Sequence, residues 1–157
     1  MLSQLVSLYY SDAISPYSEW DEAWDAVASH NVTEILQTCF LHAQPYLPEK
    51  LVELLNAGYF HDKLLKKVVV SRKRKKGIAY LYLSSDNDFL LSFCGISKLS
   101  FHGNIIDENA NYPGPYKNIS IGQILSIWFD YQKQLKCIIL LDNERYISIE
   151  AQSCSIE

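Results

Sequence analysis

The sequence lacks the segments that direct a chain out of the cytoplasm. Its start, MLSQLVSLYYSDAIS, has no basic region ahead of the apolar residues, unlike a secretory signal or a transit peptide. The longest apolar run, Cys137 to Leu141, has the length of a strand, whereas a membrane span needs roughly 18 apolar residues. We therefore expect a cytoplasmic protein without a membrane anchor.

The sequence also lacks the common motifs of metal, cofactor and nucleophile chemistry. Its histidines show no His-x-x-x-His spacing, its cysteines form no Cys-x-x-Cys pair, and its few glycines form no phosphate-binding loop. No serine lies in a Gly-x-Ser-x-Gly setting. The sequence therefore predicts a protein that is not an enzyme and that holds neither metal nor cofactor. The four cysteines, each within an apolar segment, are expected to be reduced and buried: Cys39, Cys94, Cys137 and Cys154.

Two clusters of histidine and carboxylate leave a small hydrolase open as an alternative. One is His61-Asp62, and the other is His102 with Asp107 and Glu108 in the segment that follows it. A histidine between a helix and a strand is more often a packing or capping residue than a catalytic one. A hydrolase would also need the histidine and the carboxylate to line one concave pocket.

The length is that of a single domain over residues 1–157, and the composition predicts a packed core, because 48% of the residues are hydrophobic and only 20% are charged. Helical spacing followed by strand patterns predicts the α+β class. Residues 1–58 show helical spacing of apolar positions. A first helix, with Ser18 and Asp21 as a capping box, places Trp20 and Trp24 on one face. Further helices are expected from Asn31 to Pro45 and from Glu49 to Asn56, with Pro48 in the first turn and Gly58 as the stop of the latter.

Residues 63–157 predict an antiparallel meander of about six strands, with the helices on one face. The expected strands are Lys63 to Arg72, Ile78 to Ser84, Phe89 to Phe101 with a bulge at Gly95, Ile119 to Tyr131, Leu135 to Leu141 and Tyr146 to Glu157. The segment from His102 to Asn118 contains Asn111-Tyr-Pro-Gly-Pro115 and is expected to be a loop.

The charges divide along the chain, and this division suggests a binding surface. Residues 1–62 hold nine acids and one base, a net charge of −8, while residues 63–157 carry +4. Aromatic side chains among carboxylates are typical of interfaces that attract a basic protein partner. The predicted partner-binding residues are Tyr17, Glu19, Trp20, Asp21, Glu22 and Asp25. The alternative is an amphipathic helix whose tryptophans pack on the sheet while its acids face water.

A basic cluster in the first hairpin suggests a second function, the binding of nucleic acid or another anionic ligand. The candidate residues are Arg72, Lys73, Arg74, Lys75 and Lys76, within a stretch from Lys63 that has eight bases and no acid. No aromatic residue is interleaved with these bases, since Tyr80 and Tyr82 come only on the next strand. An ordinary solvated turn is the alternative interpretation.

Short motifs in residues 45–157 resemble those of a group of small, uncharacterised bacterial proteins. These motifs are the helix begun by Pro48, the step Phe60-His61-Asp62 before a lysine-rich strand, Phe93-Cys94-Gly95, and Tyr146-Ile-Ser-Ile-Glu150. Similar proteins are encoded next to secreted polymorphic toxins and act as their cognate immunity proteins. The resemblance implies a bacterial protein-binding function, and it supplies no active-site residues.

Overall fold

The structure is a computed structural model that describes residues 2, 5, 6, 32–73, 76–84, 89–103, 121–142 and 144–157; for residues 32, 67, 71–73 and 76–84 it describes the backbone. The predicted helix of Trp20 and Trp24 and most of the predicted loop from His102 to Asn118 lie outside these residues. The described part confirms an α+β fold with an antiparallel sheet.

Two helices follow the predicted boundaries closely. Helix α1 spans Val32–Ala43, a 3-10 turn spans Gln44–Tyr46, and helix α2 spans Glu49–Asn56. Helix α2 begins directly after Pro48 and ends before Gly58, whose φ of +64° is a left-handed conformation that glycine adopts at little cost. Proline before the helix and glycine after it therefore set the limits of α2, as predicted. No helix in the described ranges is long and apolar enough to span a membrane.

The sheet formed by the described residues contains eight strands. They are β1 (Leu64–Lys73), β2 (Lys76–Ser84), β3 (Phe89–Ile96), β4 (Lys98–His102), β5 (Gly122–Tyr131), β6 (Leu135–Leu141), β7 (Tyr146–Ala151) and β8 (Ser153–Ile156). The predicted strand from Phe89 to Phe101 is divided at Ser97 into β3 and β4. The predicted strand from Tyr146 to Glu157 is divided at Gln152 into β7 and β8. His102, expected to open a loop, is the last residue of β4.

The strand pairings run in a closed circuit. The order of the sheet is β4-β7-β6-β5-β1-β2-β3-β8. One residue separates β3 from β4, and one residue separates β7 from β8. The β3–β8 pair and the β4–β7 pair therefore belong to the same two long antiparallel strands, and this pairing joins the two ends of the sheet order. The arrangement is therefore two three-stranded meanders, β1-β2-β3 and β5-β6-β7, joined on both sides. The join between β1 and β5 is short, with Leu64 paired to Gln123 and Leu65 to Gly122, whereas β1 pairs with β2 along its whole length.

The predicted bulge at Gly95 lies near the end of β3, two residues before Ser97, which separates β3 from β4. Leu91 to Cys94 pair with β8 in one register, and the pairing of β4 with β7 is displaced by one residue. Gly95 has a φ of +66°, and its carbonyl and that of Cys94 both accept the Gln152 amide hydrogen, at N–O distances of 3.2 and 3.0 Å. A Cβ at Gly95 would lie 2.5 Å from the Gln152 side chain. Rotation of the exposed Gln152 side chain relieves this contact, so the positive φ is the reason that glycine is favoured where the long strand bends.

The main core lies inside the circuit of strands. Apolar side chains from β1, β3, β5, β6 and β7 form one buried cluster, in which the Phe93 and Phe129 rings stack with centroids 6.5 Å apart. Leu51 of α2 and Phe60 after it join the same cluster. In β7 the buried Ile147, Ile149 and Ala151 alternate with more polar residues, as the sequence pattern predicts.

Helix α1 covers the outer face of β5 and β6. Cys39 packs with Trp128 of β5 and with Ile138 and Leu140 of β6, and Leu2, Leu5 and Val6 from the start of the chain join this second cluster. Strand β6 is consequently buried on both faces, which explains why Cys137 to Leu141 is a continuous apolar run instead of an alternating one. The prediction that helices cover one face of the sheet holds for α1.

Candidate functional site

The predicted partner-binding residues, Tyr17 to Asp25, lie outside the described residues. Of the predicted anion-binding cluster, Arg74 and Lys75 also lie outside, whereas the backbone of Arg72, Lys73 and Lys76 is described. Lys73 pairs with Lys76 and Arg72 with Gly77, which confirms the predicted β1–β2 hairpin. Arg72, Lys73 and Lys76 therefore lie at the ends of the two paired strands, on either side of residues 74 and 75 in the sequence.

His61 and Asp62 form an exposed turn that is attached to β5. The Asp62 amide donates to the Ile124 carbonyl at 2.9 Å, and Gln123 Nε2 donates to Asp62 Oδ1 at 2.8 Å. His61 Nδ1 lies 3.0 Å from Asp62 Oδ2, and both side chains are about half exposed or more, at 49% and 62%. Asp62 has a φ of +66°, a conformation that aspartate tolerates in turns. These contacts attach the turn to β5 through Asp62 and leave the His61 ring half exposed.

His102 stacks on the aromatic ring opposite it in the sheet. It pairs with Tyr146 of β7, and the two rings are nearly parallel with centroids 4.0 Å apart. The carboxylates predicted to accompany it, Asp107 and Glu108, lie outside the described residues. Within the described ranges, no group of three or more His, Cys, Asp or Glu side chains is placed to hold a metal ion.

The structure places a buried carboxylate, Asp130, where α1 ends above β5. Asp130 is 3% exposed; its Oδ1 accepts the Tyr131 amide hydrogen at 2.9 Å and lies 3.5 Å from His42 Nδ1. The fully buried Cys39 is one helical turn before His42 and interacts with the same carboxylate. Burial, and then Asp130, raise the pKa of the Cys39 thiol. A thiol with a raised pKa is a poor nucleophile, so these three residues do not form an activated cysteine.

Sequence reasoning missed this cluster, although it left two traces in the sequence. Cys39 and His42 are three residues apart, so they follow each other by one turn of α1. Asp130 is the charged residue at the end of an otherwise apolar strand, and its neighbour across the sheet is Lys136. Neither trace shows that the helix lies over the end of the strand, which only the packing of α1 on β5 brings about.

A pocket of about 190 Å³ opens beside Asp130 at the turn between β5 and β6. Its lining residues are Leu2, Asp130, Gln132, Lys133, Gln134, Lys136 and Glu150. The row Asp130, Lys136, Glu150 and Lys98 runs across four neighbouring strands with alternating charge. Lys136 Nζ lies 3.9 Å from Glu150 Oε1, and Gln134 Nε2 donates to Glu150 Oε2 at 2.9 Å. The lining charges are thus largely compensated within the sheet.

We expect that Asp130→Ala lowers the free energy of unfolding by about 2 kcal/mol, because the substitution leaves the Tyr131 amide and the His42 ring without their acceptor. Urea denaturation followed by circular dichroism measures this loss. His42→Ala is the matched control, since its side chain is 52% exposed and its removal should cost less than about 1 kcal/mol. Equal losses in the two variants would contradict a structural role for the carboxylate.

Two large apolar side chains are exposed on the helical layer, next to this cluster. Leu41 of α1 is 57% exposed, and Tyr46 in the 3-10 turn is 52% exposed. Tyr46 stacks on Tyr131 of β5 with ring centroids 3.6 Å apart, so its position is defined by the sheet below. Leu41 shares the outer side of α1 with the exposed Glu34 and Thr38, at i, i+4 and i+7 spacing. We call Glu34, Thr38, Leu41 and Tyr46 the helical face.

The four cysteines are free thiols, as predicted, but they are not all buried. Cys39 and Cys137 are buried and Cys154 is partly buried, whereas Cys94 is exposed, which corrects the prediction for that residue. Cys94 lies beside the bend at Gly95, where β3 leaves the core. Burial raises the pKa of Cys137, and burial followed by Cys94 raises the pKa of Cys154 to about 12.

We expect one thiol, Cys94, to react rapidly with Ellman's reagent in the native protein at pH 8, and all four to react in denaturant. The raised pKa values keep the other thiols protonated in the folded state, whereas thiols of the unfolded chain ionise near pH 8.5. Cys94→Ser should abolish the rapid phase of the reaction with Ellman's reagent; a rapid phase that persists in this variant would contradict the assignment.

The same difference in thiol pKa between the folded and the unfolded chain affects stability. The free energy of unfolding should fall as the pH rises above about 8.5, because the unfolded chain then loses thiol protons that the folded chain retains.

No family model matches the chain, and no curated protein matches it. A search of solved structures finds similarity to an uncharacterized protein from Neisseria gonorrhoeae, with a TM-score of 0.45 and 19% sequence identity. The match covers 62% of this chain and 92% of that one.

Proposed function

We propose that this protein is a non-enzymatic binding module that recognises a basic protein partner, in the manner of a bacterial immunity protein that neutralises a cognate toxin. The observation that carries the proposal is the exposure of Leu41 and Tyr46 on a helical layer that belongs to the acidic part of the chain. A few aromatic and arginine side chains supply most of the binding energy of protein interfaces, so Tyr46 is the expected anchor and Leu41 extends the apolar surface beside it. The helical face offers such side chains on a rigid support.

The charge of the chain supports the same surface. Residues 1–62 carry a net charge of −8, and α1 and the 3-10 turn belong to this part of the sequence. A negative field around an apolar centre accelerates encounter with a basic partner and has less effect on how long the complex lasts. The predicted acidic residues, with Asp21, Glu22 and Asp25 among them, supply the field in this proposal, and Leu41 and Tyr46 supply the contacts.

The rigidity of the helical face follows from its packing. Tyr46 is held against Tyr131, and α1 is held by the buried Cys39 and by the contact of His42 with Asp130. A surface that is already ordered loses little conformational entropy on binding, so its apolar contacts contribute more to affinity. This is the arrangement expected of a protein that occludes a partner without changing its own fold.

The test is binding to the protein encoded by the neighbouring gene. Surface plasmon resonance gives the association and dissociation rates at low and at physiological salt. Leu41→Ser combined with Tyr46→Ser should raise the dissociation rate about tenfold or more, because interface anchors contribute on the order of 2 kcal/mol. Leu64→Ser is the matched control, since Leu64 is 51% exposed but lies on β1, away from the helical layer in sequence.

Charge reversal separates the electrostatic contribution. Asp21→Lys, Glu22→Lys and Asp25→Lys together should lower the association rate about tenfold at low salt, and should reduce its dependence on salt. The dissociation rate should change less than in the Leu41 and Tyr46 variant. Unchanged affinity and rates in both sets of variants would show that the partner binds another surface.

A further inference from the structure

Two aromatic rings and two lysines from different elements meet where the basic hairpin begins. The Tyr59 and Phe89 rings pack edge to face with centroids 5.3 Å apart. Lys63 Nζ lies 4.9 Å from the centroid of Tyr59, and Lys50 Nζ lies 5.0 Å from that of Phe89. Tyr59 follows α2 and Phe89 begins β3, so the sequence gives no indication of this contact. We call Lys50, Tyr59, Lys63 and Phe89 the aromatic–lysine cluster.

The cluster continues directly into the most basic part of the chain. Lys63 precedes β1, Lys66 is exposed on it, and the stretch from Lys63 to Lys76 contains eight bases and no acid. Four of these bases, Lys66, Lys67, Arg72 and Lys73, belong to β1, whose ten residues extend over about 33 Å. In the register of the hairpin, Lys67 pairs with Tyr82. Aromatic and basic residues are thus adjacent across the strands, although they are separate in the sequence.

The rings of the cluster lie at the margin of the main core, and each remains partly exposed. Tyr59 and Phe89 are partly buried, each with an ammonium group over the ring. A lysine side chain is flexible, and a cation–π contact at a partly exposed site contributes only about 0.5–1 kcal/mol. A nucleobase can therefore replace the ammonium group over the ring, while the ammonium group moves to a phosphate.

We infer that the aromatic–lysine cluster and the β1–β2 hairpin form a binding site for single-stranded nucleic acid. One or two bases stack on Tyr59 and Phe89, and the phosphates lie along the bases of β1. Stacking on aromatic rings combined with a positively charged track is how proteins bind single strands without reading their sequence. The edges of bases in a duplex are paired and their faces are stacked, so a duplex can use only the charged track.

Nearby acids set the limit of this site. Glu49 and Glu53 are exposed on α2, and the backbone of Glu157 pairs with Leu90, next to Phe89. Acids therefore accompany Lys50 on α2, whereas the stretch from Lys63 into β1 contains bases and no acid. Glu157→Gln should therefore strengthen oligonucleotide binding about two- to threefold, since it removes one repulsive charge beside the stacked base.

The test is fluorescence anisotropy with a labelled oligothymidylate of about twelve nucleotides, compared with a duplex of the same length. The single strand should bind more tightly than the duplex. Its affinity should fall about 50-fold between 50 and 200 mM salt if four phosphates are neutralised. The absence of binding to the single strand at 50 mM salt, or binding that is independent of salt, would overturn the inference.

Variants identify the site. Tyr59→Leu should weaken single-strand binding about tenfold and leave duplex binding unchanged, whereas Tyr59→Phe should retain binding because the ring remains. Lys63→Gln should weaken the binding of both and reduce the salt dependence. The matched controls are Lys98→Gln and Phe101→Leu, an exposed lysine and an exposed aromatic residue of β4.

Comparison of these variants with their controls shows whether the stacking site or its location is wrong. If Tyr59→Leu and Phe101→Leu have the same small effect, the oligonucleotide is held by charge alone and the stacking site is refuted. If Lys98→Gln weakens binding as much as Lys63→Gln, the location is wrong. Circular dichroism of each variant verifies folding, and Lys63→Gln tests the site even if Tyr59→Leu is unstable. The assay contains no protein partner, so its result is independent of the function proposed for the helical face.

Discussion

Phe93→Ala is expected to lower the free energy of unfolding by about 3–5 kcal/mol, the largest effect of any single substitution considered. Phe93 is fully buried on β3 and stacks on Phe129 of β5, so the two rings connect the two meanders across the interior. Its removal leaves a cavity that neighbouring strands, each paired on both sides, cannot close. Because domains of this size are stable by only about 5–15 kcal/mol, the loss is a large fraction of the total.

Urea denaturation at pH 7, followed by circular dichroism, measures this loss. The matched control is Phe101→Ala, because Phe101 is the same residue type in the same circuit of strands but is 43% exposed. The control should lose less than about 1 kcal/mol. A loss below about 1 kcal/mol for Phe93→Ala as well would mean that the strands do not enclose a packed interior.

Gly122→Ala is expected to destabilise the protein by about 3 kcal/mol. Gly122 has a φ of +129°, which residues with a side chain rarely adopt, and its Cβ would lie against the Arg145 guanidinium and the Asp142 carboxylate. These two groups form an ion pair, and Arg145 Nε also donates to the Asp142 carbonyl at 3.1 Å. The substitution therefore strains the backbone at the start of β5 and displaces an ion pair that is mostly buried on its arginine side.

The control for Gly122 is Gly58, where the φ is also positive but the space is open. A Cβ at Gly58 would meet no atom within 4 Å, so Gly58→Ala adds only the cost of a left-handed alanine, about 1 kcal/mol. Thermal and urea denaturation of the two variants separate backbone strain from steric overlap. Equal losses would show that the ion pair moves aside without cost.

The elements were predictable where local chemistry decides them. Pro48 and Gly58 limit α2 in any context, and Gly95 indicates the bend of the long strand because no other residue adopts that conformation as readily. The β1–β2 hairpin also follows from its own residues. The division of the last predicted strand at Gln152 was not predictable from the sequence. It lies opposite the bend at Gly95, and the Gln152 amide donates to the Gly95 carbonyl, although the two residues are 57 positions apart.

The candidate sites were predictable only as charges and residue types. The acidic front and the basic hairpin are evident from the order of residues, because charge along the chain needs no fold to be counted. The meeting of His42 with Asp130, of Tyr46 with Tyr131, and of Tyr59 with Phe89 depends on contacts between elements. No spacing rule relates the partners of these contacts, so each required the packed structure.

The sequence by itself determined the α+β class, the limits of the two described helices, the alternation of β7 and the separation of charge between the two parts of the chain. Local conformational preferences and apolar periodicity depend only on residues that are close in the sequence, so they can be predicted from the sequence alone. The tertiary structure alone decided that the strands close into a circuit, that Asp130 is buried under α1, and that aromatic rings meet lysines at the start of the hairpin. These features arise when distant segments compete to bury apolar surface, and that competition is resolved only by the packing of the whole chain.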